Sequence, residues 1–294
     1  MTTKILLVGP GAIGGTLAAW LAQDDRNDVT VAVRTPIDSL EVTTPQGVIR
    51  ATPRILTEPA QAKPVDWILV ATKAYDSEAA SKWFPGATGR HTRLAVIQNG
   101  VEHVARFEKH FDRERIVPVM IDLPADHTGP GRSVQRGRAQ MVVPAGRNGA
   151  DFLKLFAATH FDLSQTEDFA SAIWRKLCLN SAGAVSAVVL KGAGISRHDG
   201  VAELMRNIVR ECIAVGRAEG ATLADNVPDE IVAGARRAPP DAENSMVADR
   251  RAGRPMEIDA RNGVIVRLGK KHGIDTPMNA LMVALLEAVQ SGNP

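Results

Sequence analysis

Cysteine is nearly absent from this 294-residue chain, which carries two, Cys178 and Cys212. Both fall inside apolar helical patterns, so no disulfide framework is expected, and a reducing, cytoplasmic compartment suits the chain. Charge of one sign is scarce as well. The net charge is +2 and no Lys/Arg block is long enough to form a nucleic-acid footprint; the pairs Arg236-Arg237 and Arg250-Arg251 stand isolated. Long hydrophobic runs are missing. The run Ile5–Val8 is broken by Gly9-Pro10-Gly11, too short for a signal peptide or a membrane span, and no later stretch reaches the length of a span without charges. Metal-ligand spacing is missing too: the seven histidines are scattered, with neither H-E-x-x-H nor a Cys/His cluster, so no metal is expected.

What is present is the composition of a folded globular protein, 45% hydrophobic and 23% charged, at a length that suits two domains. In the first half, the short apolar runs Ile5–Val8, Val29–Val33, Trp67–Ala71 and Leu94–Ile97 read as strands buried on both faces of a parallel sheet. Gly14–Gln23 and Asp76–Phe84 between them read as crossover helices. This is the alternation of an α/β, doubly wound Rossmann domain, expected over residues 1–168. Residues 116–145 predict antiparallel strands at the far edge of the sheet. Beyond about residue 168 only helical spacing remains, in Phe169–Leu190, Val201–Glu219, Ile258–Lys271 and Asn279–Gln290, so residues 169–294 predict an all-helical domain. The stretch "RRAPPDAENS" reads as a loop or helix entry.

The segment "KILLVGPGAIGGTLAAWL" places G-x-G-x-x-G directly between a strand and a helix. Gly9 permits the tight turn, Gly11 lets backbone approach a pyrophosphate, and Gly14 allows close helix–strand packing. The backbone at Ala12 and Ile13 opens a helix whose N-terminus favours phosphate. At the end of the second strand stands Arg34 where an NAD site wants a carboxylate. A guanidinium there suits a 2′-phosphate, so NADP is the expected cofactor. Lys73 and Asn99 follow the third and fourth of these strands, where ligands of doubly wound sheets lie.

In the second half, "AIWRKLCLNSAGAVSAVV" sets Lys176 and Asn180 on one stripe of an apolar helix. "NSMVADRRAGRPMEIDARNG" carries Asn244 and Ser245 at a helix start and Glu257 near another. A plainer reading makes Ser245 a helix N-cap and Glu257 a surface partner of Arg261.

Taken together, "GPGAIG", Arg34, "VATKAYD", "QNGVE", "WRKLCLN", "NSM…E", "RNG" and "KKHGIDTP" resemble the ketopantoate reductase family, in its order and at similar spacings over nearly the whole chain. The resemblance implies a Rossmann domain followed by a helical one, and reduction of 2-dehydropantoate to pantoate with NADPH in pantothenate and coenzyme A synthesis. It implies that Lys176 is the general acid and Glu257 the partner of the forming hydroxyl. Lys73 and Asn99 would lie along the nicotinamide, with Asn99, Asn180, Asn244 and Ser245 holding the small keto acid. Ala184 departs from the family, which commonly has an Asn there. An NADP-dependent reductase of another 2-oxo or 3-oxo acid is therefore the alternative. The apolar helix "MNALMVALLEAV" leaves two partners open, the rest of the helical domain or a second copy in a homodimer. Neither a nucleic acid nor a membrane is expected as a partner.

Overall fold

A computed structural model describes residues 2–291. The chain divides into two units, one of residues 1–98 and 102–169, the other of residues 99–101 and 170–294. The strands of the first unit are β1 (Thr3–Val8), β2 (Asn27–Ala32), β3 (Leu40–Thr44), β4 (Gly47–Ala51), β5 (Arg54–Leu56), β6 (Val65–Val70), β7 (Thr88–Val96), β8 (Ile116–Pro118), β9 (Met120–Asp122), β10 (Ala125–Gly129), β11 (Arg132–Gln135), β12 (Gln140–Pro144) and β13 (Asp162–Thr166). Its longer helices are α1 (Ala12–Leu21), α2 (Ser77–Ser81), α3 (Phe84–Ala87) and α4 (Arg147–Lys154).

The main sheet runs β5-β2-β1-β6-β7-β8 with every pairing parallel. Its central strands are apolar throughout because side chains alternate between two cores. Ile5 and Leu7 of β1 join α1 and the Trp67–Phe152–Phe156 cluster on one side. Leu6 and Val8 join Phe84, Phe107 and Phe111 on the other. The few aromatic residues are concentrated here: Trp67 meets Phe152 edge-on at 5.6 Å, and the Arg93 guanidinium lies 4.5 Å over the Trp67 ring. Each such ring pair adds about 0.5–1.5 kcal/mol beyond its buried area.

Two expectations change. The far-edge strand, β8, is parallel to β7, not antiparallel. The antiparallel pairing expected over 116–145 is real but lies elsewhere: β9 pairs with β12 in a sheet that β13 completes, and β10 pairs with β11 in a sheet with β3 and β4. The crossover expected at Asp76–Phe84 is interrupted, with α2 ending at Ser81 and α3 starting at Phe84, just before Pro85. A helix that meets Pro at its first turn begins there readily and cannot be continued into from upstream.

The second unit is helical: α5 (Phe169–Ala182), α6 (Ala184–Val189), α7 (Asp199–Ala218), α8 (Val227–Arg237), α9 (Ser245–Arg251), α10 (Val264–His272) and α11 (Pro277–Ser291). The single helix expected over Phe169–Leu190 is two, parted at Gly183. A Cβ on Gly183 would stand 2.8 Å from the Asn244 amide nitrogen, so a side chain here would have to displace that amide. Ala184 is fully buried. Cys178 of α5 and Cys212 of α7 are both buried with their sulfurs 3.5 Å apart. Burial raises the Cys212 thiol well above its ordinary range. Among the described residues no helix is long and apolar enough to cross a membrane, and no cluster of His, Cys, Asp and Glu is placed to hold a metal ion.

Candidate functional site

In the first unit, the β1–α1 turn is shaped by what its glycines exclude. Gly9 has φ +92°, and a Cβ there would strike Thr72 at 2.6 Å; a Cβ on Gly14 would stand 2.2 Å from the Gly9 carbonyl oxygen. Gly11, by contrast, has nothing within 4 Å of where its Cβ would be. The turn is therefore tight below and open above, as a backbone cradle for a ligand must be. Gly11 is the N-cap of α1 and supplies no side chain to the first N–H groups, and no acidic residue stands in the first turn. Those donors, including the backbone of Ala12 and Ile13, suit an anion. Arg34 lies two residues past β2 with its side chain 88% exposed, 3.7 Å from Asp76 Oδ1. A pair this long and exposed holds the guanidinium loosely. The turn thus fits the phosphates of a dinucleotide, with Arg34 just beyond the neighbouring strand.

Lys73 is half-buried just after β6, at the start of a 3-10 turn over Ala74–Asp76. Gln98, which with Asn99 and Gly100 follows the strand over Leu94–Ile97 and is expected to face cofactor or substrate, instead organises this edge from within. It is buried, and its Nε2 donates to Thr72 Oγ1 at 3.0 Å, to the Lys73 carbonyl at 3.3 Å and to Ser77 Oγ at 3.1 Å. Its own carbonyl accepts from His103 Nε2 at 2.8 Å, which fixes the tautomer of that buried ring with Nδ1 unprotonated. Nδ1 has no partner, and burial pushes the imidazole pKa down to about 3.

In the second unit, three of the expected residues are joined in one directional chain. Asn180 Nδ2 donates to Asn99 Oδ1 at 3.3 Å, and Asn99 Nδ2 donates to Glu257 Oε2 at 2.8 Å. Lys176 is half-buried one turn before Asn180 on α5, so the ammonium and the amide share a helix face. Glu257 is only 3% exposed, so the surface pair with Arg261 is replaced by a buried arrangement. Glu257 and Asp249 favour the charged guanidinium of Arg261, while burial opposes them and pulls it below its ordinary range.

The α9 start differs from the plainer reading of it. Asn244, not Ser245, is the N-cap: its Oδ1 accepts from Met246 N and Val247 N, and its Nδ2 donates to the Gly183 carbonyl at 3.0 Å. With both ends of the amide engaged in structure, Asn244 has little left to offer a keto acid. Ser245 is exposed, and its Oγ accepts from Arg261 Nη2 at 2.7 Å. Arg261 lies in a π-type turn over Asp259–Gly263, where one extra residue per turn re-aims side chains. The next residue, Asn262, is fully buried and ties Ser181 O to Asn279. The sequence signal for both was "RNG", a charge and an amide inside an apolar helical period.

Residues 5–148 match the family model described as "Ketopantoate reductase PanE/ApbA", and residues 168–290 match "Ketopantoate reductase PanE/ApbA C terminal". The chain is similar to the 2-dehydropantoate 2-reductase of Caulobacter vibrioides, 55% identical over 286 residues that cover 97% of this chain and 99% of that one. It is 37% identical over 298 residues to the 2-dehydropantoate 2-reductase of Mycobacterium tuberculosis H37Rv, covering 99% of each. Its fold matches the solved structure of a PanE/ApbA family ketopantoate reductase from Ralstonia eutropha JMP134 with a TM-score of 0.90, at 27% identity and 98% coverage of both chains.

Proposed function

The chain belongs to the ketopantoate reductase family, and from that premise we propose that it reduces 2-dehydropantoate to pantoate with NADPH, a step of pantothenate and coenzyme A synthesis. It is an oxidoreductase acting on a CH–OH group. The observation that carries the site is the chain Asn180–Asn99–Glu257 beside Lys176.

Pyridine nucleotide is the cofactor class, and the open cradle over Gly11 with Arg34 beyond β2 supports NADP. When bound, the reduced nicotinamide supplies a hydride to the 2-keto carbon. As charge builds on the carbonyl oxygen, the Lys176 ammonium stabilises it and then gives it the proton that completes the hydroxyl. Glu257, held by Asn99, accepts a hydrogen bond from that hydroxyl and keeps the ammonium oriented. Asn180 and Ser245 bind the polar groups of the keto acid, and Lys73 serves the nicotinamide side. Asn244 is withdrawn from the substrate contacts in favour of its capping role.

The specific observation behind a second reading is Ala184, which offers no polar group. Losing a donor from a hydrogen-bonding pocket changes which acid fits. NADPH oxidation measured with ketopantoate beside a panel of other 2-oxo and 3-oxo acids tests both readings. A kcat/KM for ketopantoate well above all others is expected; turnover of another acid with little on ketopantoate would move the function to that acid. The working place proposed is the cytoplasm. The assembly proposed is a homodimer, on the exposed Leu281 and Leu285 of α11.

A further inference from the structure

Arg261 is a buried charge that the reductase reading leaves without a task. It is 3% exposed, and its Nε is enclosed without a hydrogen-bond partner. An apolar side chain of similar volume would fill the same space with no desolvation cost. The charges around it nearly balance: Asp249 lies against Arg254 at 3.0 Å, and Glu257 and Asp249 both act on the Arg261 guanidinium. Charge alone therefore does not make this corner attract an acid. Direction does. A guanidinium has no acceptor atoms, so in the 2.7 Å bond between Arg261 Nη2 and Ser245 Oγ the serine oxygen must accept. The hydroxyl proton of Ser245 must then point away from Arg261, on a residue that is exposed.

We propose that Arg261 is a positioning residue that commits the Ser245 hydroxyl to donate, so that it reads the carboxylate of the keto acid as acceptor. The inference rests on the reading of Ser245 as a substrate contact. A hydroxyl without Arg261 rotates freely and binds donors and acceptors alike. With Arg261 it is a fixed donor, polarised by a cation on its far side, and a carboxylate is the strongest acceptor for it. Asn244 holds the same turn from the other side, since its cap fixes where Ser245 begins the helix.

The test is the kinetics of ketopantoate reduction at saturating NADPH for four proteins: the parent, Ser245→Ala, Arg261→Met and the double variant. Each single variant is expected to raise KM roughly tenfold, about the worth of one charge-assisted hydrogen bond, with kcat changed far less. The double variant should be no worse than Ser245→Ala alone, because Arg261 acts through that hydroxyl. Arg261→Lys, which keeps a donor, should recover part of the loss. A silent Ser245→Ala would overturn the substrate reading of Ser245 and this inference with it. A weakened Ser245→Ala beside a silent or independently additive Arg261→Met would overturn the inference alone. NADPH affinity, measured by fluorescence, reports whether each variant is folded. Should Arg261→Met fail to fold, Arg261→Gln decides, because its amide can accept from Ser245 as well as donate and so no longer commits the hydroxyl: a lowered melting temperature with an unchanged KM would make Arg261 merely structural.

Discussion

Lys176 stands half-buried on α5, one turn before Asn180, and is the proposed general acid. Lys176→Ala is expected to lower turnover by roughly 10²–10⁴-fold, the range for a lost general acid. Near-normal turnover of the purified variant would remove Lys176 from that role. Arg34 is a different kind of residue, exposed and loosely paired with Asp76, so replacing it should leave the fold alone. Arg34→Asp should swing the ratio of kcat/KM values from NADPH towards NADH, because a carboxylate repels a 2′-phosphate and accepts from a 2′-hydroxyl. An unchanged ratio would mean that the phosphate is read elsewhere. Single residues also show what a sequence hides. Glu257 and Arg261 are four apart in a helical period and invite the reading of a surface pair, yet both are buried. Nothing in their spacing distinguishes the two, because burial is decided by which helices later cover that face.

At the scale of an element, α9 depends on a single side chain. Asn244 caps two of its N–H groups and also holds the Gly183 carbonyl, where α5 gives way to α6. Asn244→Ala should cost about 1–2 kcal/mol for the cap, seen as a melting temperature lowered by a few degrees. If KM for the keto acid rises while the melting temperature holds, Asn244 is a substrate contact after all. The capping signal itself was legible: Asn-Ser before an apolar run marks a helix start. Which of the two residues caps, and what the other end of the amide holds, was not, since Gly183 lies sixty-one positions away. The strands divide in the same manner. β1, β2, β6 and β7 announce themselves as apolar runs because both their faces are buried. β3, β4, β10 and β11 alternate or are largely polar, and β11 finds its parallel partner β3 far back in the chain. No local pattern carries that pairing.

For the whole molecule, one contribution to the response to acid comes from a buried imidazole, beside those of the carboxylates paired with cations. His103 is held neutral, its pKa pushed down to about 3, whereas in the unfolded chain it titrates at about 6.5. Below about pH 6.5 the unfolded chain therefore binds a proton that the folded chain refuses, and stability falls as pH drops towards 3. The slope reaches about 1.4 kcal/mol per pH unit. Denaturant unfolding at pH 7 and at pH 4.5 should show the parent losing roughly 2–3 kcal/mol more than His103→Gln, which does not titrate. Equal losses in the two proteins would place the acid sensitivity in other groups. The broad architecture, a Rossmann unit followed by helices, was readable because it rests on periodicity and on one glycine turn. The polar interior, Gln98 with His103 and Asn262 with Asn279, was not, because each pair is made by segments that meet only when folded.

The two thiols of Cys178 and Cys212 lie 3.5 Å apart between α5 and α7, buried on every side. A reagent in solution reaches neither while those helices stay packed, and a protonated thiol reacts slowly even then. Their labelling rate is thus a clock for the separation of the helix that carries Lys176 from the helix behind it. A bound keto acid that quiets that clock does so by holding α5 in place.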